Sequence, residues 1–480
     1  MICGCRGRLS GVAPHSFLYF IVRAGNGIFA IATLAVFTRM LSPTEYGVYA
    51  LGMAIASVAS AIIFQWLSLA VGRFYPLHLD DPGQVMGVAA CGFWAATAAA
   101  TLLFLGALPF HEVFNVAPTL AGILFLITVM LGSHALALQV ANAQSAPFRY
   151  GLLSWAKGGG ALLIGFILIY YGMGAWGALL GFLAGLVLSV SGFGPKLGLR
   201  MSLDSGRSGL SVEMLRYGLP LTLNSLAIVV VDVVDRFLIG SLLGMAYVAP
   251  YAVAYDLVQL SIGSVMSVLF LAAFPLIVKA FESEGNEAVR IRLQALGGRL
   301  VVVGLPVAVG LGILATEISE LIFGNDYRPD AATVMPWLAA AIFVAAFKSY
   351  FLDVVFQLCQ ATKRQAYIAI LMAAVNILLN LLLLPHHGII AAAWATLAAF
   401  SVGAVASWLV GNSVFLLPAL GHVFLRSILA SATMAVLMYM LPSKSGIIWL
   451  LIKIVSGFVT YSAMALALDV AGFRRLLRHG

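Results

Sequence analysis

Residues 234–257 read VDRFLIGSLLGMAYVAPYAVAYDL. An apolar run enters this stretch from residue 217 and a second leaves it toward residue 278, with a Gly-containing break at 243–246 between them. Each run is long enough to cross a bilayer as a helix, which takes about 20 residues, so the segment reads as a tight reversal between two spans. Asp235, Arg236 and Asp256 stand inside them. A charge at that depth costs at least about 2.5–3.5 kcal/mol on insertion scales, so each must face protein or water. A chain that keeps three here is building an interior around them.

The rest of the chain repeats this pattern. Of 480 residues, 62% are hydrophobic and only 9% charged, whereas a soluble protein carries about 25% charged residues. The formal net charge of +8 does not indicate nucleic acid, because the basic residues are scattered between apolar runs instead of clustering on one face. Fourteen spans are expected, near 17–41, 46–71, 84–108, 117–142, 150–171, 174–194, 217–243, 247–278, 294–323, 331–359, 366–384, 388–411, 422–441 and 446–470. The fold class is therefore an all-α polytopic membrane protein with about 14 transmembrane helices. The run from Phe17 to Met40 shows no small-residue cleavage site and is expected to persist as a helix. Cys3, Cys5, Cys91 and Cys359 offer neither a disulfide framework nor a metal-binding spacing.

With both termini on the cytoplasmic side, most of the 26 Lys and Arg fall at inner ends or loops, among them Arg73, Arg149, Lys157, Lys196, Lys279 and Arg364. Arg39, Arg328 and Lys444 fall outside, and Arg23, Arg236, Lys348 and Lys453 within spans. This bias predicts a multi-pass protein of the cytoplasmic (inner) membrane. No loop is long enough for a soluble catalytic domain.

The two halves resemble each other. LSPTEYGVYALGMA from Leu41 matches LLGMAYVAPYAVAY from Leu242, setting Tyr49 against Tyr251. EVFNVAPTLAGILF matches ELIFGNDYRPDAATVM, setting Phe114 against Phe323, and YYGMGAWGALLGF matches HHGIIAAAWATLAAF, setting Gly172 against Gly388. Six helices per copy is an even number, so both copies enter the membrane from the same side. The organisation predicted is a six-helix lobe over 1–194, a Ser/Gly/Arg-rich cytoplasmic linker over 195–216, a second six-helix lobe over 217–411, and two appended helices with a basic tail over 412–480. A substrate path is expected between the two parallel-related bundles.

Candidate site residues follow from charges and amides inside the spans. Asn224, Asp232 and Asp235 fall within a stripe about 80° wide on the seventh helix. They line a cavity on one reading; on the other, Asp232 and Arg236, spaced i and i+4, only neutralise each other. Arg23 and Asn26 share an i, i+3 spacing on the first helix, as do Asp256 and Gln259 on the eighth. Arg23 lies near enough to the inner end that snorkelling to headgroups is the alternative. The same alternative removes Lys453 from the site, while Glu317 and Glu320 near an outer end read as solvated, as do His386 and His387. Gly172, Gly174 and Gly177 form GxGxxG, but no strand precedes them and the next acid is Asp204. That motif is a turn between spans, continued by Gly181 and Gly185 as a small-residue packing face.

Four motifs then carry a resemblance: RMLSPTEYGVYAL at Arg39–Leu51, the stretch quoted first, LIFGNDYRPDAA at Leu321–Ala332, and NILLNLLLLPHHGIIAAAWATL from Asn376 to Leu397. In order and spacing the chain resembles the polysaccharide transporter, or oligosaccharide flippase, family, within the superfamily that also holds multidrug and toxin extruders. It departs from the usual pattern at PHHG, where a Tyr often precedes the Gly, and at IIAAA, where a Gly usually opens the run.

The resemblance implies a non-enzymatic transporter that moves isoprenoid pyrophosphate-linked oligosaccharide to the outer leaflet by alternating access, for O-antigen, capsule or exopolysaccharide assembly. Its partners are then lipid-linked oligosaccharide, membrane lipids and polysaccharide polymerase or other assembly proteins, with no cofactor beyond H⁺ or Na⁺ coupling. Arg23, Arg236 and Lys348 suit the diphosphate; Asn224, Tyr255 and Gln259 suit sugar hydroxyls, with Asn26 a further substrate-binding candidate in the cavity; Asp232, Asp235, Asp256 and Asp353 suit the coupling ion. The rivals are a cation-coupled multidrug exporter of the same architecture and a membrane glycosyltransferase or polymerase.

Overall fold

Proline opens several of the helices. Pro43, Pro82, Pro118 and Pro147 each stand in a first turn, where the missing N–H would have had no partner and the fixed φ already suits a helix. The computed structural model describes residues 12–78, 80–110, 117–144, 146–195, 209–442 and 446–470, with side chains described except at 12–21, 23, 24, 110, 220, 221 and 223–232.

The helices are α1 (Val12–Met40), α2 (Pro43–Phe74), α3 (Pro82–Ala107), α4 (Pro118–Ala143), α5 (Pro147–Leu168), α6 (Gly174–Phe193) and α7 (Gly209–Leu242). They continue with α8 (Met245–Val258), α9 (Ser264–Ser283), α10 (Asn286–Ile313), α11 (Ala315–Ile322), α12 (Arg328–Phe347) and α13 (Val354–Leu358). The last are α14 (Thr362–His387), α15 (Ile389–Val414), α16 (Gly421–Met440) and α17 (Ile447–Ala467). A π turn, Gln259–Gly263, joins α8 to α9 in one rod, and another, Lys348–Leu352, joins α12 to α13. Among the described residues, eleven stretches are long and apolar enough to cross a membrane. One of these, Pro147–Phe193, is a hairpin that reverses at Gly172, and α1 and α7 complete the fourteen expected rods. No strand occurs among the described residues. The fold is an all-α polytopic membrane protein.

Gly172 and Gly388 both take positive φ, 86° and 64°, a backbone region that costs a side chain but not glycine. The repeat match that aligns these two glycines therefore aligns two reversals of the same kind.

The chain divides into two compact units, residues 1–41 with 48–233, and residues 42–47 with 234–480. In the first, Phe64 stacks on Phe93 at 5.1 Å within a core that includes Leu67, Val85, Leu136 and Met214. Helices α5 and α6 touch along Gly181 and Gly185; a Cβ on Gly185 would lie 2.5 Å from the Lys157 carbonyl oxygen. Such small-residue contact is how helices gain packing where lipid offers no hydrophobic contrast. Residues 209–216, the end of the expected linker, are instead the opening turns of α7, because Leu210 and Met214 bury into this core. Residues 196–208 lie outside the described residues.

In the second unit α10 packs against α9, α12 and α16, and α14 against α15. The appended pair is docked, not peripheral: α16 packs on α10, and α17 contacts both α10 and α11. Lys453 on α17 does not snorkel and Glu317 on α11 is not solvated, since Lys453 Nζ meets Glu317 Oε1 at 2.5 Å with both side chains largely buried. Docking turns Lys453 inward, where a carboxylate offsets its desolvation. Lys453→Met should therefore raise hydrogen–deuterium exchange in α16 and α17 while leaving α3–α6 unchanged. The double variant Lys453→Met/Glu317→Leu should restore protection, because it leaves no unpaired charge behind.

Candidate functional site

The second unit is organised around an acid. Helix α7 places Asp235, α8 brings Tyr251, α14 presents Asn376 and Asn380 one turn apart, and α15 contributes Thr396. Asp235 is 1% exposed. Its Oδ2 accepts from Tyr251 Oη at 2.5 Å and contacts Thr396 Oγ1 at 2.5 Å, and its Oδ1 accepts from Asn380 Nδ2 at 2.7 Å. Thr396 Oγ1 is also 2.8 Å from the Ala392 carbonyl oxygen. One hydroxyl proton cannot serve both. When it goes to Ala392, the short contact with Oδ2 requires a proton on the carboxyl; when it goes to Asp235, the carboxylate is ionised. The same atoms thus accommodate either charge state.

No described cation pairs with Asp235. A buried carboxylate without a counter-charge costs several kcal/mol, so this cage is unfavourable unless a cation visits it. Asn380 Oδ1 and Asn376 Nδ2 are buried without hydrogen-bond partners, while Asn380 Nδ2 also reaches the Asn376 carbonyl at 2.9 Å and Asn376 Oδ1 at 3.2 Å. The surrounding oxygens are carboxylate, hydroxyl and amide, hard donors with one negative charge in total. That set fits a proton or a small monovalent cation. No group of three or more His, Cys, Asp or Glu suited to a metal ion occurs among the described residues.

The next residue on α7 serves a second network. Arg236 forms an ion pair with Asp256 of α8; the Asp232 side chain of the expected i, i+4 pair lies outside the described residues. The guanidinium also lies 5.7 Å over the Tyr255 ring, and Tyr255 stacks on Tyr251 at 6.2 Å and 28°. Two tyrosines one turn apart thereby link Asp235 to Arg236. The pair is open on one side: the Arg236 side chain is 12% exposed and that of Asp256 is 43%. Gln259 begins the π turn directly after and is exposed.

Lys348 and Asp353 meet because of the other π turn. In an α-helix residues five apart point about 140° away from each other; the wide turn bonds Asp353 N to Lys348 O at 2.9 Å and stacks the two side chains. Lys348 Nζ then reaches Asp353 Oδ2 at 2.7 Å, Ser407 Oγ donates to Oδ1 at 2.7 Å, and Gln365 Nε2 approaches Oδ2 at 3.4 Å. Both charges are buried.

Of the residues singled out by sequence, Arg236, Tyr255 and Asp256 come together, Lys348 joins Asp353, and Asn26 is half-buried on α1. The side chains of Arg23, Asn224 and Asp232 lie outside the described residues. Sequence reasoning missed Tyr251, Asn376, Asn380 and Thr396. The signal available was Asn376 and Asn380 at i, i+4 within a run of leucines, where unpartnered amides would be costly.

Residues 36–332, more than half of the chain, match the family model described as polysaccharide biosynthesis protein. No curated protein sequence gives a significant match. Among solved structures, the chain is similar to the lipid II flippase MurJ in an inward closed conformation, with 16% identity, TM-score 0.75, and coverage of 96% of this chain and 100% of that one. An inward-facing multidrug resistance MATE transporter of the MOP superfamily gives 13% identity and TM-score 0.66, covering 83% of this chain and 97% of that one. A MOP superfamily transporter from Pyrococcus furiosus, described as having a binding pocket of reversed polarity, gives 15% identity and TM-score 0.52, covering 84% and 94%. These likenesses are of fold, that of membrane flippases and transporters. By the family match, the chain belongs to the polysaccharide biosynthesis protein family.

Proposed function

We propose that this chain flips isoprenoid pyrophosphate-linked oligosaccharide across the cytoplasmic membrane by alternating access, for O-antigen, capsule or exopolysaccharide assembly, driven by H⁺ or Na⁺ bound at Asp235. The observation that carries the coupling is the Asp235 carboxylate, buried among hydroxyls and amides with no described counter-charge. Family membership supports the polysaccharide pathway. Cation binding at Asp235 changes what Tyr251 must donate to, and Tyr251 stacks on Tyr255 beneath Arg236. Cation occupancy thereby biases the Arg236–Asp256 pair, and releasing Arg236 from Asp256 frees a guanidinium for a phosphate oxygen. A ligand shifts such an equilibrium only through unequal affinity for the two states; the cation and the pyrophosphate each supply one such inequality. Lipid-linked oligosaccharide and bilayer lipids are the immediate partners, and a polymerase or other assembly protein takes the product.

The test is transport of fluorescent isoprenoid pyrophosphate-linked glycan in proteoliposomes. Arg236→Ala should slow it at least about tenfold, the worth of one charge-assisted hydrogen bond of ~1.5–3 kcal/mol, and Arg236→Lys should retain part of the rate. New glycosidic bonds in the recovered glycan would replace the flippase reading with a transferase or polymerase. Export of cationic dyes with no glycan movement would assign multidrug export instead.

A further inference from the structure

Asp235 and Asp353 stand at opposite ends of one seam in the second unit. On α14, Gln365 and Asn376 are eleven residues apart, and on α15 so are Thr396 and Ser407. Eleven residues make three turns, so each pair shares a face and lies about 16 Å apart along its axis. The two faces meet. Asn380, one turn beyond Asn376, and Thr396 both reach Asp235, while Gln365 and Ser407 both reach Asp353. Each carboxylate thus takes one amide from α14 and one hydroxyl from α15. Between these rungs Met372 lies on Gly403: a Cβ there would overlap Met372 Sδ and stand 3.2 Å from Lys348 Cε. Glycine leaves room for the lysine arm, which lies across it and ends on Asp353 Oδ2.

The seam runs most of the length of these helices. Thr396 is seven residues from Ile389 at one end of α15, and Ser407 is seven from Val414 at the other, so each acid lies about 10 Å from an end. The Ser407 end adjoins Arg364, which donates to Ser413, at the border expected to be cytoplasmic. A buried ion pair adds little stability over well-packed apolar groups, whereas ionisable residues within a span commonly serve proton relays. The π turn that creates this pair is itself a feature frequent at functional sites. Among the helices packed around it, α13 and α15 contain no titratable residue. Lys363, Arg364 and Tyr367 of α14, Arg299 of α10, and Lys279 and Glu282 of α9 are exposed. Tyr350, within the turn, stacks on Phe270 of α9. The other charges of α10 stand in its first two turns, and those of α12 and the histidines of α14 at the opposite end of the seam.

We propose that this seam is the inward leg of a proton path, with Asp353 and Lys348 as its carriers, so that the cation coupled at Asp235 is a proton. The inference rests on cation coupling at Asp235. First, Lys348 gives Asp353 a proton: an Nζ–H bond breaks as an Oδ2–H bond forms, leaving a neutral amine and a neutral acid. The acid then passes that proton to cytoplasmic water and is a carboxylate again. The amine, no longer held by a charge, swings across Gly403 and takes the proton of Asp235 through water in the interval; the carboxyl O–H bond breaks as the third Nζ–H bond is restored. One proton has moved from Asp235 to the cytoplasm, and the ion pair re-forms. Na⁺ has no such route, because it would have to pass the Lys348 ammonium at close range, where like charges repel strongly.

Full-length protein on a solid-supported membrane reads the path as the charge displaced after an acid jump, with no glycan present. The wild-type protein should displace charge on an acid jump and none on a Na⁺ jump at constant pH. Asp235→Asn should abolish the signal. Lys348→Arg keeps the ion pair but cannot give up a proton, so the proton stops at Asp235 and the displaced charge should fall by about half or more, the share of the path beyond that residue. The charge-free Lys348→Met/Asp353→Leu should fall equally, and it decides the matter if arginine does not fit beside Gly403. Wild-type displacement in either folded variant would overturn the path. So would charge displaced by a Na⁺ jump but not by an acid jump. Because no glycan is needed, a protein that moves protons but no glycan refutes the flippase reading and leaves the path standing. Na⁺-driven flipping without a response to acid does the reverse.

Discussion

Asp235→Asn yields a folded protein whose transport no longer responds to an imposed H⁺ or Na⁺ gradient. The amide oxygen introduced by this change still accepts from Tyr251 and Thr396 on the side now occupied by Oδ2. The new NH₂ then faces the Asn380 NH₂; turning the Asn380 amide relieves that conflict but gives up the bonds from Asn380 Nδ2 to the Asn376 carbonyl and to Asn376 Oδ1. The substitution should therefore cost one to two ordinary hydrogen bonds, about 1–3 kcal/mol. What it removes is the charge, and with it gradient-driven stimulation of about 5–150-fold, the size of a usual coupling free energy. Asp235→Ala is different. It leaves three donors facing a void, each worth about 1–3 kcal/mol, and should lower the unfolding midpoint as well as transport. Uptake into proteoliposomes with and without each gradient separates the two variants. An Asp235→Asn protein still stimulated by both gradients would sink the assignment of Asp235 as the coupling residue.

Lys348→Met is expected to destabilise the protein by about 3–5 kcal/mol, as happens when one partner of a buried ion pair is removed and the other is left behind. Asp353 would keep Ser407 and Gln365 but lose its cation. The double variant Lys348→Met/Asp353→Leu should recover most of that loss, because well-packed apolar groups often replace a buried pair at little cost. Denaturant titration of purified protein gives both numbers. If Lys348 instead contacts the substrate phosphate, the single variant would melt like wild type and lose only the protection given by added glycan lipid. The two roles thus predict opposite results from the same melt.

The helices are legible in the sequence because length and apolarity alone define a span, and the hairpins at Gly172 and Gly388 because glycine marks a reversed φ. The charged candidates are also visible one by one, since any charge within a span is costly. Their partners are not. Arg236 pairs with Asp256 on another helix; chain spacing ranks local pairs and is blind to tertiary ones. Lys348 and Asp353 are five apart, a spacing that a 3.6-residue period separates and only a widened turn unites. Asn376 and Asn380 lie inside a motif whose weight comes from its order along the chain, and nothing in that order matches their amides to an acid. Apart from the widened turn, the misses concern interactions between elements, which no single-helix pattern records.

The widened turn at Lys348–Leu352 also sets a rule for insertions and deletions. It holds one residue more than an α-helix needs to cover the same rise. Deleting that residue would let the rod close into ordinary α-helix and swing everything after it by about 100°, carrying Asp353 away from Ser407 and from Lys348 together. Relatives that lack the extra residue should therefore lack the lysine–aspartate pair too, so a one-residue gap at this point of an alignment marks a change in chemistry rather than in length.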